Sequence, residues 1–336
     1  MIQDISGKPI PQALFKKTSK NSTEYEGITF EQIVGHSYAK RALEIAAAGG
    51  HHLFMTGPPG CGKSMLAESF PSILPPLSKD EWIEVMSIYQ LSGTEPPPSM
   101  HAPYRNPHHS ASGISIIGGG QSPKPGEISL AHRGVIFLDE IAEFNKKTLD
   151  MLRQPFESGK VTISRVRSTV TYPASFILLG AMNPCPCGYL HSPNHYCTCT
   201  PKQIASYQNR LSGPIRDRFD LFLTVKPVEF MSNDKGGNNT SKAVQERVKE
   251  ARERQFHRYG QAICNSRVAY DTMMKAGQLT DEQNRSLQQF ISKNQLSNRA
   301  HLKLIRLART LADLENQSHI SNENILEAIR LYGRKS

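Results

Sequence analysis

One stretch of eight residues constrains the fold of this chain more than any other part of its sequence. It consists of Gly57, Pro58, Pro59, Gly60, Cys61, Gly62, Lys63 and Ser64, and it fits the phosphate-binding pattern G-x-x-x-x-G-K-[ST]. The run from His52 to Thr56 predicts a buried strand before this loop, and residues 64–68 predict the start of a helix after it. The motif requires this strand–loop–helix context, so we expect an α/β fold with a parallel central sheet.

The residue types of the loop suit a bound polyphosphate. Glycines let backbone N–H groups close around a phosphate without a clashing Cβ, and a helix N-terminus adds roughly half a positive charge. Lys63 supplies a cation for the β- and γ-phosphates, and Ser64 supplies a hydroxyl ligand for Mg²⁺. The simpler alternative is a Gly/Pro turn that happens to precede a lysine.

Two further strands are predicted to end in polar side chains. The apolar run 135–138 precedes Asp139 and Glu140, and the apolar run that starts at Phe176 ends at Asn183. We expect Asp139 to hold Mg²⁺ through water, and Glu140 to orient and deprotonate the attacking water. The Asn183 amide can bond the γ-phosphate or that water. Ligands gather at the carboxyl edge of parallel sheets, so the sequence predicts one nucleotide site there.

The composition favours an acidic partner. The 336 residues carry 40 Lys and Arg against 30 Asp and Glu, a formal net charge of +10, and nucleic acid is the commonest partner of such chains. A basic surface kept for solubility is the alternative. No apolar run approaches the roughly 20 residues that span a membrane, and no secretory signal opens the chain. We therefore expect a cytoplasmic protein with reduced thiols.

Cysteines cluster in one short segment, residues 184–200. Four of the six in the chain lie there: Cys185, Cys187, Cys197 and Cys199. In a reducing compartment, such clustering indicates a metal site, and four thiolates suit tetrahedral Zn²⁺. An iron–sulfur site and free or redox-active thiols are the alternatives, and His191 or His195 could replace one thiolate.

A basic segment lies between the two predicted strands that end in Glu140 and Asn183. Residues 161–170 alternate β-branched and polar side chains, which predicts a β-hairpin. Lys160, Arg165 and Arg167 make this hairpin basic and suited to gripping DNA phosphates. A solvated edge strand protected by charge is the alternative.

Several arginines lie where they could act on a nucleotide. Arg216 and Arg218 precede the last sheet strand, where an arginine can serve the nucleotide of a neighbouring subunit or form a weak surface pair. Arg299 begins a predicted helix and could reach over the nucleotide. Arg306 and Arg309 are expected at the surface of the same helix.

We expect four parts in the chain. They are a leader or linker remnant (1–26), an α/β domain (27–226), a linker (227–240) and a small all-helical lid (241–336). Within the α/β domain, residues 71–126 are rich in Pro, Gly and Ser and are expected to hold few long regular segments. That region contains His108 and His109, which could bind a phosphate or a metal, or simply be satisfied by backbone groups.

Six segments resemble one bacterial family closely. They are residues 39–50, 107–109, 118–120, 125–132, 183–189 and 308–315. Together they resemble the ComM/YifB type of magnesium-chelatase-like AAA+ ATPase, from about residue 27 to 333. The resemblance implies a hexameric ATPase ring around single-stranded or branched DNA that performs branch migration during natural transformation. The alternatives are a chelatase-like motor that remodels a protein partner, and a nucleotide- or zinc-binding module without motor activity.

The resemblance also implies roles for particular residues. It assigns Lys63 and Ser64 to the Walker A motif, and Asp139 and Glu140 to the Walker B motif. It assigns Asn183 to sensor 1, Arg218 to the arginine finger and Arg299 to sensor 2. Residues 161–170 are similar to a pre-sensor hairpin, and residues 110–126 to the insertion in the helix that precedes the hairpin. The family favours an apolar residue at Arg216, so both Arg216 and Arg218 stay open as the finger. Members usually carry a Lon-protease-like domain where about 26 residues stand here, so we expect a fragment or a natural short form.

Overall fold

The computed structural model describes residues 25–165, 168–190, 192, 195–228, 240–276 and 279–333. The predictions for most of the leader (1–26) and most of the linker (227–240) fall outside these residues. The same is true of the predictions for Arg167 and His191.

A parallel sheet forms the centre of the α/β region. The strands are β1 (Leu53–Thr56), β2 (Tyr104–Arg105), β3 (Gly118–Gly119), β4 (Lys124–Pro125), β5 (Val135–Leu138), β6 (Lys160–Arg165), β7 (Ser168–Pro173), β8 (Ile177–Met182) and β9 (Leu221–Thr224). Five of them form one sheet in the order β2-β5-β8-β1-β9, and every neighbouring pair is parallel. The pairs β3–β4 and β6–β7 form two antiparallel ribbons. This sheet confirms the predicted fold class.

Burial explains why the inner strands form. Every residue of β5 and β8 is buried, as expected where helices cover both faces of a parallel sheet. Thr56 pairs with Met182, and Leu138 pairs with Gly180. The carboxyl ends of β1, β5 and β8 therefore lie at nearly the same level along one edge of the sheet.

Nine helices are described before the last sheet strand. They are α1 (Ser37–Gly49), α2 (Lys63–Ser69), α3 (Lys79–Ser92), α4 (Gly113–Ile117), α5 (Glu127–Leu130), α6 (Lys146–Met151), α7 (Arg153–Ser158), α8 (Pro201–Gln208) and α9 (Gly213–Arg216). The helical region after the sheet contains α10 (Ser241–Tyr259), α11 (Tyr270–Ala276), α12 (Asp281–Lys293), α13 (Asn298–Leu314) and α14 (Asn322–Tyr332). Among the described residues, no helix has the length and apolar character needed to cross a bilayer.

The helical region packs on α1 through one shared hydrophobic core, to which α1, α10 and α13 all contribute. Polar side chains of α10 also cap the end of α1. Arg252 donates two hydrogen bonds to the Ala47 carbonyl, at 2.7 and 3.0 Å, and Gln255 donates one to the Ala48 carbonyl at 3.1 Å. These bonds satisfy carbonyls that a helix end leaves without an internal partner.

Residues 71–126, where few long regular segments are expected, contain one. The 14-residue helix α3 lies there, and the Ser78 and Glu81 side chains each accept a hydrogen bond from the other's backbone N–H. This capping box fixes the helix start despite the proline-rich surroundings. The short strand β2 adds to the edge of the central sheet beside β5. The ribbon β3–β4 lies between α4 and α5.

The predicted hairpin is present and slightly longer than expected. Strands β6 and β7 pair from Lys160 opposite Pro173 to Arg165 opposite Ser168. Its base is anchored because Val161 and Ile163 are buried and because the Tyr172 hydroxyl donates to the Pro123 carbonyl at 2.7 Å. The basic hairpin is therefore held against the β3–β4 insertion.

Arg309 is buried, so its predicted surface position is wrong. Its side chain is 1% exposed and donates to the Asp313 carboxylate and to the Ser318 carbonyl at 2.8 Å. Arg306 is half-buried and donates to the Val268 carbonyl. Burial of a guanidinium is tolerated here because an acid and carbonyl oxygens accept its protons.

A buried charge cluster joins the helical region to the amino edge of the sheet. The Lys303 ammonium of α13 lies 3.1 Å from the Asp220 carboxylate, and His51 lies 3.5 Å from the same acid. Burial alone would raise the pKa of Asp220, but the Lys303 charge holds it well below its usual range. Burial lowers the pKa of His52 to about 3, and its neutral Nδ1 accepts from the Leu178 N–H at 3.0 Å.

The variant Asp220→Asn should destabilise the protein at neutral pH by about 3–5 kcal/mol, because it leaves the Lys303 ammonium buried without its counter-charge. A carboxyl with a lowered folded-state pKa contributes stability above its unfolded pKa of about 4. The deficit should therefore stay constant above about pH 5 and shrink as the pH falls below about 4. Urea unfolding across this pH range measures it.

Lys303→Met and the double variant complete a thermodynamic cycle with Asp220→Asn. Lys249→Met, at an exposed ion pair with Glu246, serves as the control and should change little. Additive losses for Asp220→Asn and Lys303→Met would contradict the coupling of the two charges.

Candidate nucleotide site and cysteine cluster

The phosphate loop connects β1 to α2 as the sequence predicts. Gly60 and Gly62 have φ values of 71° and 88°, and α2 begins at Lys63. A Cβ at Gly57 would lie only 2.3 Å from the carbonyl oxygen of Val225. Only glycine fits at that position, because the chain leaving β9 passes directly beside the loop.

The Lys63 side chain joins the loop to the end of β8. It is buried, and its Nζ donates to the carbonyls of Gly57 at 2.8 Å and Pro58 at 2.9 Å. Nζ also lies 3.2 Å from Oδ1 of Asn183. Two residues predicted separately as nucleotide ligands are therefore in direct contact.

Ser64 and Asp139 meet in the same way. The Ser64 hydroxyl donates to Oδ2 of Asp139 at 2.8 Å, and Oδ1 of that acid accepts the Glu140 N–H at 2.9 Å. A hydroxyl and a carboxylate side by side are the hard oxygen ligands that Mg²⁺ prefers. The donor set at this position therefore fits the predicted magnesium.

Glu140 directly follows Asp139 and is exposed. It has a φ of 46°, which is uncommon for a residue other than glycine. The turn directs its carboxylate toward His109, whose Nδ1 lies 3.7 Å away. The His108 ring stacks on that of His109 with centroids 4.0 Å apart, and His108 Nδ1 bonds Ser110 Oγ at 2.7 Å. Of the two predicted histidines, His109 is therefore the one beside the candidate general base.

A cleft of about 860 Å³ runs along the outer edge of β9 and reaches the turn that precedes α1. His36 and Tyr38 line one wall, and Phe290, Ile329 and Arg330 of the helical region line the other. A Cβ at Gly62 would lie 3.2 Å from Nε2 of His36, so this part of the cleft adjoins the phosphate loop.

Arg218 and Arg299 lie at the opposite edge of the sheet. Arg218 precedes β9 and forms an ion pair with Glu157 of α7. The Arg299 guanidinium lies 3.9 Å from the same carboxylate. One turn further along α13, Lys303 bonds the carbonyls of Asp217 and Phe219 at the amino end of β9.

The expectation that Arg299 reaches over the nucleotide of its own chain is not met. The length of a four-residue strand, about 13 Å, separates the amino edge from the carboxyl edge that carries the phosphate loop. Arg330 of α14, which no sequence motif marked, is the arginine that the helical region contributes to the cleft beside that loop. Arg216 also lines this cleft, nearer the amino end of β9.

The four clustered cysteines converge as predicted. Their sulfur atoms all lie within 4.8 Å of one another. The separations are 3.4 Å between Cys185 and Cys187, 3.7 Å between Cys185 and Cys197, and 3.6 Å between Cys187 and Cys197. A tetrahedron with metal–sulfur bonds of about 2.3 Å has edges of about 3.8 Å, so the cluster fits a tetrahedral metal ion.

Backbone groups already prepare this cluster for thiolates. The N–H of Cys187 donates to Cys199 Sγ at 3.4 Å, and that of Leu190 donates to Cys185 Sγ at 3.3 Å. The backbone N–H of Tyr189 lowers the pKa of Cys187 to about 6. The backbone N–H of Cys199 favours a thiolate at Cys197, but desolvation and the neighbouring sulfurs raise the pKa of Cys197 to about 12. Four thiolates together therefore require a compensating cation.

The predicted DNA-binding residues are described only in part. Lys160 begins β6 and is exposed, and Arg165 is the last residue of that strand. Arg167 lies outside the described residues, so the role of the hairpin stays a prediction.

Comparisons with known proteins agree with this fold. Residues 29–233 match the family model described as magnesium chelatase, subunit ChlI, and residues 238–332 match its C-terminal counterpart. The chain is 44% identical to the uncharacterized protein YifB of Escherichia coli, over 88% of this chain and 59% of that protein. It is 40% identical to the competence protein ComM of Haemophilus influenzae, over 98% of this chain and 65% of that protein.

A more distant relative of the chain is a magnesium-chelatase subunit. The magnesium-chelatase 38 kDa subunit of Cereibacter sphaeroides is 26% identical over 46% of this chain and 52% of that subunit. The chain spans about three fifths of the length of the YifB and ComM relatives that it matches. The chain belongs to the magnesium chelatase subunit ChlI family, as a magnesium-chelatase-like AAA+ protein of the ComM/YifB type.

Proposed function

We propose that this chain is the ATPase portion of a hexameric ring motor that acts on DNA, in branch migration of recombination intermediates during natural transformation. The observation that carries the proposal is the meeting of Lys63 with Asn183 and of Ser64 with Asp139 at one sheet edge. The similarity to a protein named for competence supports the link to DNA uptake.

Each residue at this edge of the sheet has a separate role in ATP hydrolysis. The loop amides and Lys63 bind the β- and γ-phosphates, while Ser64 and Asp139 hold Mg²⁺. Magnesium, when bound, neutralises charge on the phosphate oxygens. Glu140 takes a proton from the attacking water, and Asn183 donates an amide hydrogen to the γ-phosphate or holds that water.

The cleft beside the loop suits the adenosine part of the nucleotide. Its volume of about 860 Å³ lies within the usual range for small-molecule pockets. Tyr38 and Ile329 offer apolar surface for a base, while His36 and Arg330 offer polar contacts near the phosphates. Both the α/β region and the helical region would then contact one nucleotide.

Zinc is the metal that best fits the four cysteines. The cluster offers only sulfur ligands, all within 4.8 Å of one another, with one buried and three partly exposed side chains. Four thiolates at such separations suit Zn²⁺, which has no redox chemistry of its own.

ATP turnover should depend on Glu140 and respond to DNA. The variant Glu140→Gln should still bind ATP but lose about 10²–10⁴-fold in turnover, because an amide cannot accept the proton of water. Branched DNA should raise wild-type turnover. A steady-state ATPase assay with and without DNA measures both effects.

Glu143→Gln is the matched control, since Glu143 is an acid three residues away that pairs with Arg210, and this variant should keep wild-type turnover. Equal turnover in wild type and Glu140→Gln would favour a binding module without motor activity. Turnover that ignores DNA but rises with a protein partner would favour the chelatase-like alternative, which the Cereibacter relative supports.

Arg218 and Arg299 act, in this proposal, on the nucleotide of a neighbouring chain. They lie together at the amino edge, where Glu157 binds Arg218 and lies near Arg299. A γ-phosphate presented by the neighbour would replace Glu157 as their partner, since both are oxyanions that suit a guanidinium.

Mixing two inactive variants should restore activity. Lys63→Ala lacks the phosphate cation, and Arg218→Ala lacks the finger, so each alone should lose about 10³-fold or more. In randomly mixed rings, about a quarter of the interfaces join an intact loop to an intact finger. An equimolar mixture should therefore recover roughly that share of wild-type turnover.

Arg210→Ala provides the control for this mixing test, because Arg210 pairs with an exposed acid and should be active alone. Failure of the mixture to recover, with both variants assembled, would exclude Arg218 as a residue acting across the interface.

DNA binding should depend on the hairpin. Replacing Lys160, Arg165 and Arg167 by alanine should weaken binding about 10- to 100-fold at low salt and lower the slope of log K against log salt by about 2–3, because up to three phosphate contacts are lost. A fluorescence anisotropy titration over a salt series measures both quantities.

A triple alanine variant at Lys79, Lys242 and Lys293 removes the same charge from exposed positions elsewhere and serves as the control. Equal losses in the two triple variants would mean that net charge, and not the hairpin, attracts DNA.

A further inference from the structure

The cysteine cluster begins two residues after Asn183, the residue that contacts the phosphate-loop lysine. Asn183, whose amide oxygen accepts from Lys63 at 3.2 Å, is two residues before Cys185. Any displacement of Cys185 is therefore transmitted through one proline to the residue that contacts the Walker lysine.

A second connection is made by packing across space. Gly188 directly follows Cys187, and its N–H donates to the Cys185 carbonyl at 3.0 Å. A Cβ at Gly188 would lie 2.6 Å from Cδ and 2.7 Å from Cγ of Pro59 in the phosphate loop. The first cysteine turn thus lies directly against the outer side of that loop.

The remaining cysteines tie this turn to a rigid element. Thr200 follows Cys199 and caps α8, with its side chain accepting from the Gln203 N–H at 3.3 Å. At the other end of α8, Gln208 donates to the Pro184 carbonyl at 3.0 Å. Four metal–sulfur bonds would therefore cross-link the chain between Asn183 and Gln208.

Apart from these hydrogen bonds, little burial would hold the described residues of this segment without a metal. Among its cysteines only Cys185 is buried, and Tyr196 is 88% exposed. A polar loop without a core folds on metal binding, which supplies roughly 10–16 kcal/mol in comparable small sites. Loss of the metal would therefore release the turn that supports Pro59 and Asn183.

We infer that the cysteine cluster is a positioning site for the nucleotide: a bound metal ion fixes Asn183 and the wall of the phosphate loop, so metal occupancy sets nucleotide affinity. This inference rests on the proposed metal site and extends it from local folding to control of the ATPase. Nucleotide binding to the metal-free protein should be weak even though every residue that touches the phosphates is present.

Cys197→Ser tests the inference, because Cys197 Sγ lies 3.7 Å from Cys185 Sγ and 3.6 Å from Cys187 Sγ. The metal content is measured by inductively coupled plasma mass spectrometry, the fold by circular dichroism, and affinity by titration with a fluorescent ATP analogue. We expect the variant to lose its zinc, to keep its helix content and to bind the analogue at least tenfold more weakly. Cys264→Ser, outside the cluster, should change none of the three.

Gly188→Ala separates packing from metal binding. All four cysteines remain, so zinc should stay at about one per chain, while the added methyl group displaces Pro59 and weakens analogue binding severalfold. Gly260→Ala is the matched control, because the φ of Gly260, 66°, is positive like the 84° of Gly188, but nothing lies within 4 Å of a Cβ added there. It should preserve both zinc and affinity.

The outcomes distinguish the two proposals. A wild-type protein without metal would overturn the zinc site itself. Zinc in the wild type, together with unchanged analogue affinity after removal of zinc by a chelator and in Gly188→Ala, would overturn the coupling and leave the zinc site standing. Weakened affinity that returns on adding zinc back to the chelated protein would support both.

Discussion

Three parallel strands end at nearly the same level along one edge of the sheet, and the rest of the site depends on this constraint. The registers of β1, β5 and β8 bring the phosphate loop, the two acids and Asn183 to one edge of the sheet. Side chains 75 and 120 residues apart in sequence then bond at 2.8 and 3.2 Å. A one-residue slip would turn every side chain to the other face, so the fully buried β5 and β8 protect the site as much as the loop does.

The sequence predicts those parts of the site that have local causes. A glycine-rich loop between a predicted strand and a predicted helix indicates phosphate binding, and an apolar run that ends in Asp139 and Glu140 indicates a buried strand that ends at the sheet edge. The close spacing of the four cysteines in the sequence likewise predicts that their side chains meet. The capping box at Ser78 was an equally local signal for α3, but the prolines around it concealed the helix.

The parts that the sequence did not predict depend on packing between distant elements. Arg299 lies at the amino edge because Lys303, one turn later, is held by Asp220 and by carbonyls at the start of β9. The sequence around Arg299 does not indicate those partners of Lys303. The contact of Gly188 with Pro59 and the pairing of His109 with Glu140 are of the same kind. Arg309 is the exception, because its partner Asp313 lies four residues later in the same helix, and this i,i+4 spacing can be recognised in the sequence.

The two edges of the sheet therefore carry different parts of the chemistry. The carboxyl edge holds the groups that bind a triphosphate, and the cysteine turn supports that edge from outside. The amino edge, about 13 Å away by strand length, holds Arg218 and Arg299 around Glu157. In the proposed ring, one chain then supplies the binding groups and the next supplies the charge that speeds turnover. Nucleotide affinity would thus be a property of the single chain, whereas turnover would depend on protein concentration through assembly.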